Sequence, residues 1–408
     1  MNDGVGTAQR ALALLDLGRP AEAERLFRQA LVGDPANADL LGHLSRAVLI
    51  QERYAEARDL ARQTLAADPE DLNGLLVLSA ASAGLKEFPA AVSAVEHALR
   101  IAPGHPAIHR QKGAVLIAQD RAEEALAPLE RARALDPEDA QTLATIGAAY
   151  LELRRYSEAE RAIAEALRLD PDSIQAHQNR GLLELRRGGG KSAVEAHRTA
   201  LRLDPTDQYS REGLAIAMKS RNPLYGQFLR FGDWVNSLSS GARWTILLTP
   251  IIASRILRPF DDRLWAQVTL AILVALVVLS WSIEPLMNAV LLCSSYARNL
   301  LPRETKLATY AFLAYLAAAA SSVIVGLTVE SDAALILAGC LVLWSISAGQ
   351  THLVDISRRK IAVRLQVAGA LIAAAAAIAI ALDASFTNAA LPVFFLLGLA
   401  MLWFTAFA

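Results

Sequence analysis

Cysteine is scarce in this sequence, and that scarcity excludes several kinds of site. The 408 residues include only two cysteines, Cys293 and Cys340. Two cysteines cannot build a disulfide framework or a four-cysteine zinc site. Positive charge is also missing from the first residues, MNDGVG, where a secretory signal would need it. We therefore expect that the N-terminal half is not exported.

Charge is scarce in the C-terminal half alone. Residues 221–408 carry 13 Lys/Arg and 9 Asp/Glu, whereas residues 1–220 carry 27 and 32. The whole chain is 54% hydrophobic, with a mean hydropathy of +0.30. This composition is too apolar for a wholly soluble protein. It predicts an acidic soluble half followed by a mildly basic membrane half.

A proline recurs at constant spacing through the N-terminal half. Five of these six prolines follow an aspartate, and we expect each Asp-Pro pair to lie at a helix start, with Asp as the cap. The prolines are Pro35, Pro69, Pro103, Pro137, Pro171 and Pro205. Their 34-residue period indicates stacked helix pairs.

Small residues recur at the same period. One set is alanine in every unit, namely Ala23, Ala57, Ala91, Ala125, Ala159 and Ala193. A second set is Ala30, Ala98, Ala132, Ala166 and Ala200, with Thr64 as the exception. With Gly113, Gly147 and Gly181 in the first helices of later units, this pattern resembles the tetratricopeptide-repeat (TPR) family. The resemblance implies an all-α fold: a TPR α-solenoid of about six repeats plus a capping helix at 207–220.

The family resemblance also implies a peptide-binding groove on the inner faces of the first helices. We expect it to be a largely aliphatic wall with amides and two arginines, suited to an apolar or amphipathic protein segment. The groove positions are Arg46, Leu49, Ile50, Asn73, Leu76, Arg110, Ile117, Gln141, Leu151, Gln175, Gln178, Leu182 and Leu185. For any one of these residues, the alternative is that it only stabilises the solenoid.

Residues 221–243 are predicted to form an amphipathic connector helix in the membrane interface. Apolar residues recur there at helical spacing, and Tyr225 and Trp234 supply amphipathic rings. The domains are therefore 1–220, the solenoid with its cap; 221–243, the connector; and 244–408, a polytopic transmembrane bundle. The connector and the bundle resemble those of bacterial TPR proteins that have a C-terminal integral-membrane domain of unassigned function.

Six apolar stretches are candidate spans of the bundle. They are residues 244–257, 264–283, 307–329, 333–354, 361–382 and 389–408. The first is short and contains Arg255, so the sequence leaves open whether it crosses or lies in the interface. The basic loops 298–306 and 357–360 should be cytoplasmic. Six spans would then place the solenoid and both termini in the cytoplasm of a bacterium, at its inner membrane.

Four polar residues near these spans are candidates for function, because ionisable groups in a membrane are costly. They are Glu284, His352, Asp355 and Arg364. Interfacial anchoring or helix pairing is the alternative role. We also expect Glu284-Pro285 to break a helix. Small residues at 317–320 and 373–377 favour close helix packing and a possible homo-oligomer.

Two motifs resemble ligand sites, but we do not interpret them as functional. Gly188-Gly189-Gly190-Lys191-Ser192 ends in the Gly-Lys-Ser of a phosphate-binding loop, but position 185 is Leu where that loop needs Gly. We interpret the segment as a flexible inter-helix turn. His105 and His109 are four positions apart but have no acidic third ligand nearby. We expect no metal, cofactor, nucleic acid or catalytic residues.

The sequence thus favours a non-enzymatic adaptor that recruits a protein partner to the membrane. The alternative is a regulatory subunit of a transport or envelope-secretion complex, in which the helix bundle is the working part.

Overall fold

The computed structural model describes residues 2–236, 255–256, 263–354, 356–381, 391, 394–398 and 400–401. The described residues form helices and turns, without strands. The chain divides into two compact units, Met1–Gly213 and Leu214–Ala408. The predicted spans 244–257 and 389–408 lie largely outside the described residues, and Asp355 lies outside them too.

The first unit is built from six helix pairs. The pairs are α1 (Asn2–Asp16) with α2 (Pro20–Leu31), α3 (Ala38–Ile50) with α4 (Tyr54–Ala67), α5 (Leu72–Gly84) with α6 (Phe88–Ile101), α7 (Pro106–Ala118) with α8 (Ala122–Leu135), α9 (Ala140–Glu152) with α10 (Tyr156–Leu169), and α11 (Ile174–Arg187) with α12 (Gly190–Leu203). Helix α13 (Gln208–Ser220) follows the sixth pair and extends past the unit boundary. The solenoid predicted from the 34-residue period is therefore present.

The Asp-Pro pairs lie at repeat boundaries, but the prediction that they start helices is wrong. Asp68, Asp136, Asp170 and Asp204 are the C-terminal caps of the preceding helices, in extended backbone. A residue before proline is disfavoured in helical conformation, so each helix ends there. The Asp68 carboxylate then accepts a hydrogen bond from the backbone N–H of Glu70, at 3.0 Å, as in an Asx turn.

The true N-terminal caps come three positions after each aspartate. The side chain of Asn37 accepts from the N–H of Leu40 at 3.0 Å, and Asp139 accepts from the N–H of Gln141 at 3.0 Å. Asp71, Ser173 and Asp207 occupy the same phase and make equivalent bonds. These side chains satisfy backbone donors that a helix start leaves unpaired.

Small residues of the first helices make room for large residues of the second helices. A Cβ atom added at Gly113 would lie 2.5 Å from Leu129, and one at Gly147 would lie 2.7 Å from Ile163 Cγ1. Leu129 and Ile163 are both buried. The two helices of each repeat therefore interlock at a fixed phase, and the buried alanines let them approach closely.

A residue in left-handed conformation recurs in the turn between the two helices of every repeat. The positions, which share the 34-residue period, are Gly18, Glu52, Lys86, Asp120, Arg154 and Gly188. Gly188 has a φ of 84° and ends α11, and Gly189 is the N-terminal cap of α12, so these two glycines form the turn. Gly190, Lys191 and Ser192 begin α12. Only glycine adopts this conformation at little steric cost.

The second unit is also helical. Its elements are the end of α13, α14 (Pro223–Asn236), α15 (Leu264–Leu292), α16 (Ser295–Arg298), α17 (Arg303–Val329), α18 (Asp332–Gln350), a 3₁₀ turn (Thr351–Leu353) and α19 (Ile356–Ala381). Three stretches of the described residues are long and apolar enough to cross a membrane: Arg303–Val329, Asp332–Gln350 and Arg358–Ile380. Their core includes Tyr315, Leu337, Leu341 and Trp344.

Helix α15 continues through Pro285, so the prediction that Glu284-Pro285 breaks the helix is wrong. Proline removes one backbone hydrogen bond from a helix interior, and its ring crowds the preceding turn. The ring of Pro285 packs against Gly349 of α18, where an added Cβ would lie 2.5 Å from Pro285 Cγ. Tertiary packing therefore accommodates the proline inside a 29-residue helix.

Candidate functional site

The predicted groove residues lie on the first helices of repeats two to six, from α3 to α11. Twelve of the thirteen are at least partly exposed. Arg46, Ile50 and Gln141 are the most accessible of them, and Ile50 has 47% of its surface exposed. An exposed isoleucine beside an arginine offers an apolar contact and a charge to a bound chain.

Leu151 is the exception and must be removed from the groove. It is completely buried and packs with Ala159, Ile163 and Leu183. Its position near the end of α9 places it against the neighbouring helices of its own and the next repeat. A partner in the groove therefore cannot contact the Leu151 side chain.

Three polar residues of the predicted wall bind a neighbouring repeat. Arg110 pairs with Asp139, Gln178 Nε2 donates to Asp207 Oδ2 at 2.8 Å, and Gln175 Nε2 donates to Thr145 Oγ1 at 3.5 Å. Each contact joins residues 29 or 30 positions apart; Gln175 reaches back to the preceding repeat, and the other two reach forward. Arg110, Gln175 and Gln178 thus have a structural role in the array.

The surroundings of Asp139 favour its charged form beside Arg110. Burial by itself raises the pKa of the Asp139 carboxyl, but the Thr142 hydroxyl and the Arg110 guanidinium stabilise its charged form and leave the pKa lowered. Replacing Arg110 would therefore disturb folding as well as any binding. Arg46 and Gln141, which are among the most accessible wall residues, are better positions at which to test binding.

An acidic group that the sequence did not reveal faces Glu52. Burial raises the pKa of Glu52, and the negative charges of Asp207, Glu212 and Asp204 raise it further. Glu52 lies in the turn after α3, and the other three lie before or within α13, yet their charges act on Glu52 through space. Four repeats separate them along the chain, and no local pattern could have predicted this.

His197 is buried in the last repeat without a hydrogen-bond partner on either ring nitrogen among the described residues. It stands at the same position of its repeat as Leu129 and Ile163 do in theirs. Its ring lies so close to Gly181 and Gly213 that a Cβ atom added at either glycine would clash with it. Burial lowers the pKa of His197 to about 4. The imidazole is therefore neutral and packs as an apolar residue would.

In the second unit, Glu284 belongs to a network of three side chains. Its carboxylate pairs with Lys219 Nζ and accepts a hydrogen bond from Tyr225 Oη at 2.7 Å. The Lys219 side chain is 5% exposed. Tyr225 is buried, so it is not the interfacial ring that we expected, whereas Trp234 on α14 is half exposed.

The other predicted polar residues have separate surroundings. His352 Nδ1 is 2.9 Å from the Gly349 carbonyl oxygen, and Arg364 is exposed on α19. A cavity of about 1540 Å³ is lined by one face of α17, one face of α19 and part of α18, and we call it the α17–α19 cavity. His352 lines it, as does Arg359, which sequence reasoning missed.

Small residues of the spans take part in packing within the chain. A Cβ atom at Gly326 would lie 2.7 Å from Leu335 Cδ2. Gly349 contacts Pro285 in the same way, whereas an added Cβ at Gly339 would meet nothing within 4 Å. Gly326 and Gly349 are therefore occupied by contacts inside one molecule.

The first unit has the fold of an α-solenoid of paired helices, and repeats of this class generally bind other proteins. The family model described as tetratricopeptide repeat matches residues 9–71 and again residues 116–182. The first unit of the chain therefore contains tetratricopeptide repeats. No curated protein matches it.

Solved structures similar to this chain align with about half of it. A tetratricopeptide repeat protein from Parabacteroides merdae ATCC 43184 is 15% identical, with a TM-score of 0.39, covering 61% of this chain and 98% of that one. TTC0263, a thermophilic TPR protein in Thermus thermophilus, is 25% identical, with a TM-score of 0.32, covering 53% and 98%. The APC/C hetero-tetramer Cut9–Hcn1 is 18% identical, with a TM-score of 0.42; the match covers 52% of this chain but only 42% of that one.

Proposed function

We propose that this protein is a membrane-anchored adaptor that binds a protein partner in the groove of its solenoid and recruits or assembles it at the bacterial inner membrane. The observation that carries the proposal is the row of accessible wall residues on five successive first helices, from Arg46 to Leu185. The three apolar helices of the second unit support anchoring. Such repeats typically serve as interaction scaffolds and not as enzymes.

The chemistry of the groove favours an amphipathic segment with basic residues. Leu49, Ile50, Leu182 and Leu185 supply apolar contacts. Glu52 and the carboxylates near it would attract positive charge, and a cation bound there would relieve their mutual repulsion. We place the solenoid in the cytoplasm, because the basic loops of the membrane half should be cytoplasmic and six spans return the chain to that side.

Photocrosslinking in native membranes tests the adaptor. A benzophenone amino acid replaces Gln141 on the wall, and the control carries it at Arg131, which is exposed on the second helix α8. We expect one dominant crosslinked protein from position 141 and none of that species from position 131. The variants Arg46→Ala and Ile50→Ser should weaken this crosslink while changing the free energy of unfolding by less than about 0.5 kcal/mol. Equal, unspecific crosslinking from both positions would contradict the proposal.

A second candidate function is a regulatory subunit of a transport or envelope-secretion complex. The pairing of buried Lys219 with the partly exposed Glu284 favours it, because ionisable groups at the membrane often belong to the working part of a transporter. This alternative requires that Glu284→Gln abolish function while groove variants have little effect. If the protein is an adaptor, groove variants should impair function more than Glu284→Gln does.

A further inference from the structure

The α17–α19 cavity is shaped for a long apolar molecule. Its lining on α17 extends from Glu304 to Val329, roughly 38 Å at 1.5 Å per residue, which is comparable to a membrane hydrocarbon core of about 30 Å. Alanines of α17 and α19 form much of both walls. The volume of about 1540 Å³ exceeds the 300–1,000 Å³ typical of small-molecule pockets. A molecule with acyl chains would fill this space.

One end of the cavity carries a cation without a described counter-charge. The Arg359 guanidinium donates to two backbone carbonyl oxygens, those of His352 at 3.1 Å and Val354 at 3.3 Å. Within the described residues, which leave out Asp355, no carboxylate lies at ion-pair distance from Arg359. These backbone carbonyl oxygens hold the side chain in place without bringing a formal negative charge, and the planar guanidinium is well suited to bind a phosphate.

Two acceptors accompany that cation. Glu304 lines the cavity at the first turn of α17. Gln366 also lines it and is 8% exposed; its Nε2 donates to Ser347 Oγ at 2.8 Å, while its Oε1 has no hydrogen-bond partner among the described residues. A buried acceptor without a partner is rare and calls for a donor from outside the chain.

We propose that the α17–α19 cavity binds one membrane phospholipid whose headgroup combines a phosphate with a hydrogen-bond donor. The phosphate lies against Arg359, the donor of the headgroup serves an acceptor at the same end, and the acyl chains lie along the alanine walls. Charge complementarity and the unpartnered acceptor select this occupant over a purely apolar second helix, which would bring neither an anion nor a side-chain donor. The site is independent of the groove in the solenoid.

Native mass spectrometry of the full-length protein in detergent tests the site. The probe is dioleoyl phosphatidylglycerol; phosphatidylcholine lacks the headgroup donor, and diacylglycerol lacks the phosphate. We expect one phosphatidylglycerol to remain bound after collisional activation that removes the other two. Arg359→Ala should reduce this retention at least fivefold, whereas Arg358→Ala, which removes an equal charge from an exposed neighbour, should not.

A second pair of variants addresses the acyl-chain walls. Ala370 lines the cavity and Ala368 does not, although both are exposed on α19. Ala370→Trp should displace the lipid, and Ala368→Trp should leave it bound. Arg359→Lys, which keeps the charge, should recover part of the retention, and circular dichroism shows whether each variant is folded. Equal retention of all three lipids, equal losses in the two arginine variants, or retention in Ala370→Trp would each overturn the proposal.

Discussion

His197 shows how one residue position is reused with a different side chain. Leu129, Ile163 and His197 are equivalent, and each fills space left by a glycine of the same repeat. The small-residue pattern was visible in the sequence. The sequence did not show that the His197 imidazole is neutral, because its neutrality depends on burial against α11 and α13.

Replacing His197 with Leu should remove an acid sensitivity of the solenoid. Its folded-state pKa of about 4 lies below the ordinary value of 6.5, so the unfolded chain binds the proton more readily. This contribution to stability is complete above pH 6.5 and falls as the pH drops towards 4, by roughly 2 kcal/mol between pH 7 and pH 5. The urea midpoint, followed by far-UV circular dichroism of the full chain at both pH values, measures it.

His197→Leu should lose about this much less stability on acidification than the wild type. The control is His105→Leu, at an exposed position before α7, which should keep the wild-type pH dependence. If His197→Leu and the wild type lose the same stability, His197 is not buried as a neutral group.

At the scale of helices, the periodic part of the chain was predictable and the contacts between distant elements were not. The 34-residue period predicts all six pairs, since each repeat carries its own turn and small residues. Leu151 was misplaced because the C-terminal end of α9 is covered by residues from the next repeat. The pairing of Lys219 with Glu284 joins residues 65 positions apart, and nothing local marks it.

Lys219→Met should destabilise the second unit. It leaves Glu284 with Tyr225 as its remaining partner in the network, and the lost stability should be roughly 2 kcal/mol, less than for a fully buried pair because 36% of the Glu284 side chain is accessible. The double variant Lys219→Met/Glu284→Gln should recover part of this loss, since no unpaired charge remains. Thermal unfolding in detergent measures both.

Lys306→Met serves as the matched control, because Lys306 is partly exposed on α17. It should unfold close to the wild-type temperature. Identical losses from the Lys219 and Lys306 variants, or no recovery in the double variant, would show that the pair contributes little.

At the scale of the whole molecule, composition predicted a soluble half and an apolar half, and the structure has a solenoid unit and a unit with long apolar helices. The spans at 244–257, 264–283 and 389–408 stay predictions, as does orientation. Hydropathy and loop charge contain no information on which side chains meet inside the bundle, so Arg359 and the cavity could not have been predicted.

The two cysteines offer a direct test of orientation. Cys293 is exposed just after α15, whereas Cys340 is buried within α18. If the loops near Cys293 are cytoplasmic, a membrane-impermeant maleimide should modify the protein in inverted membrane vesicles and not in intact cells. Cys293→Ser should abolish the labelling. Modification in intact cells would place this region, and with it the proposed adaptor, on the opposite side.

The left-handed turns recur at one phase from Gly18 to Gly188. Because every repeat reverses direction by the same backbone geometry, whole repeats are interchangeable modules. Duplication of a 34-residue segment should add one repeat to the proposed groove without disturbing the neighbouring repeats. An insertion that is one position shorter or longer would move the caps, turns and small residues out of register. The length of the segment that the proposed groove binds would therefore change in discrete steps, through gain or loss of complete repeats.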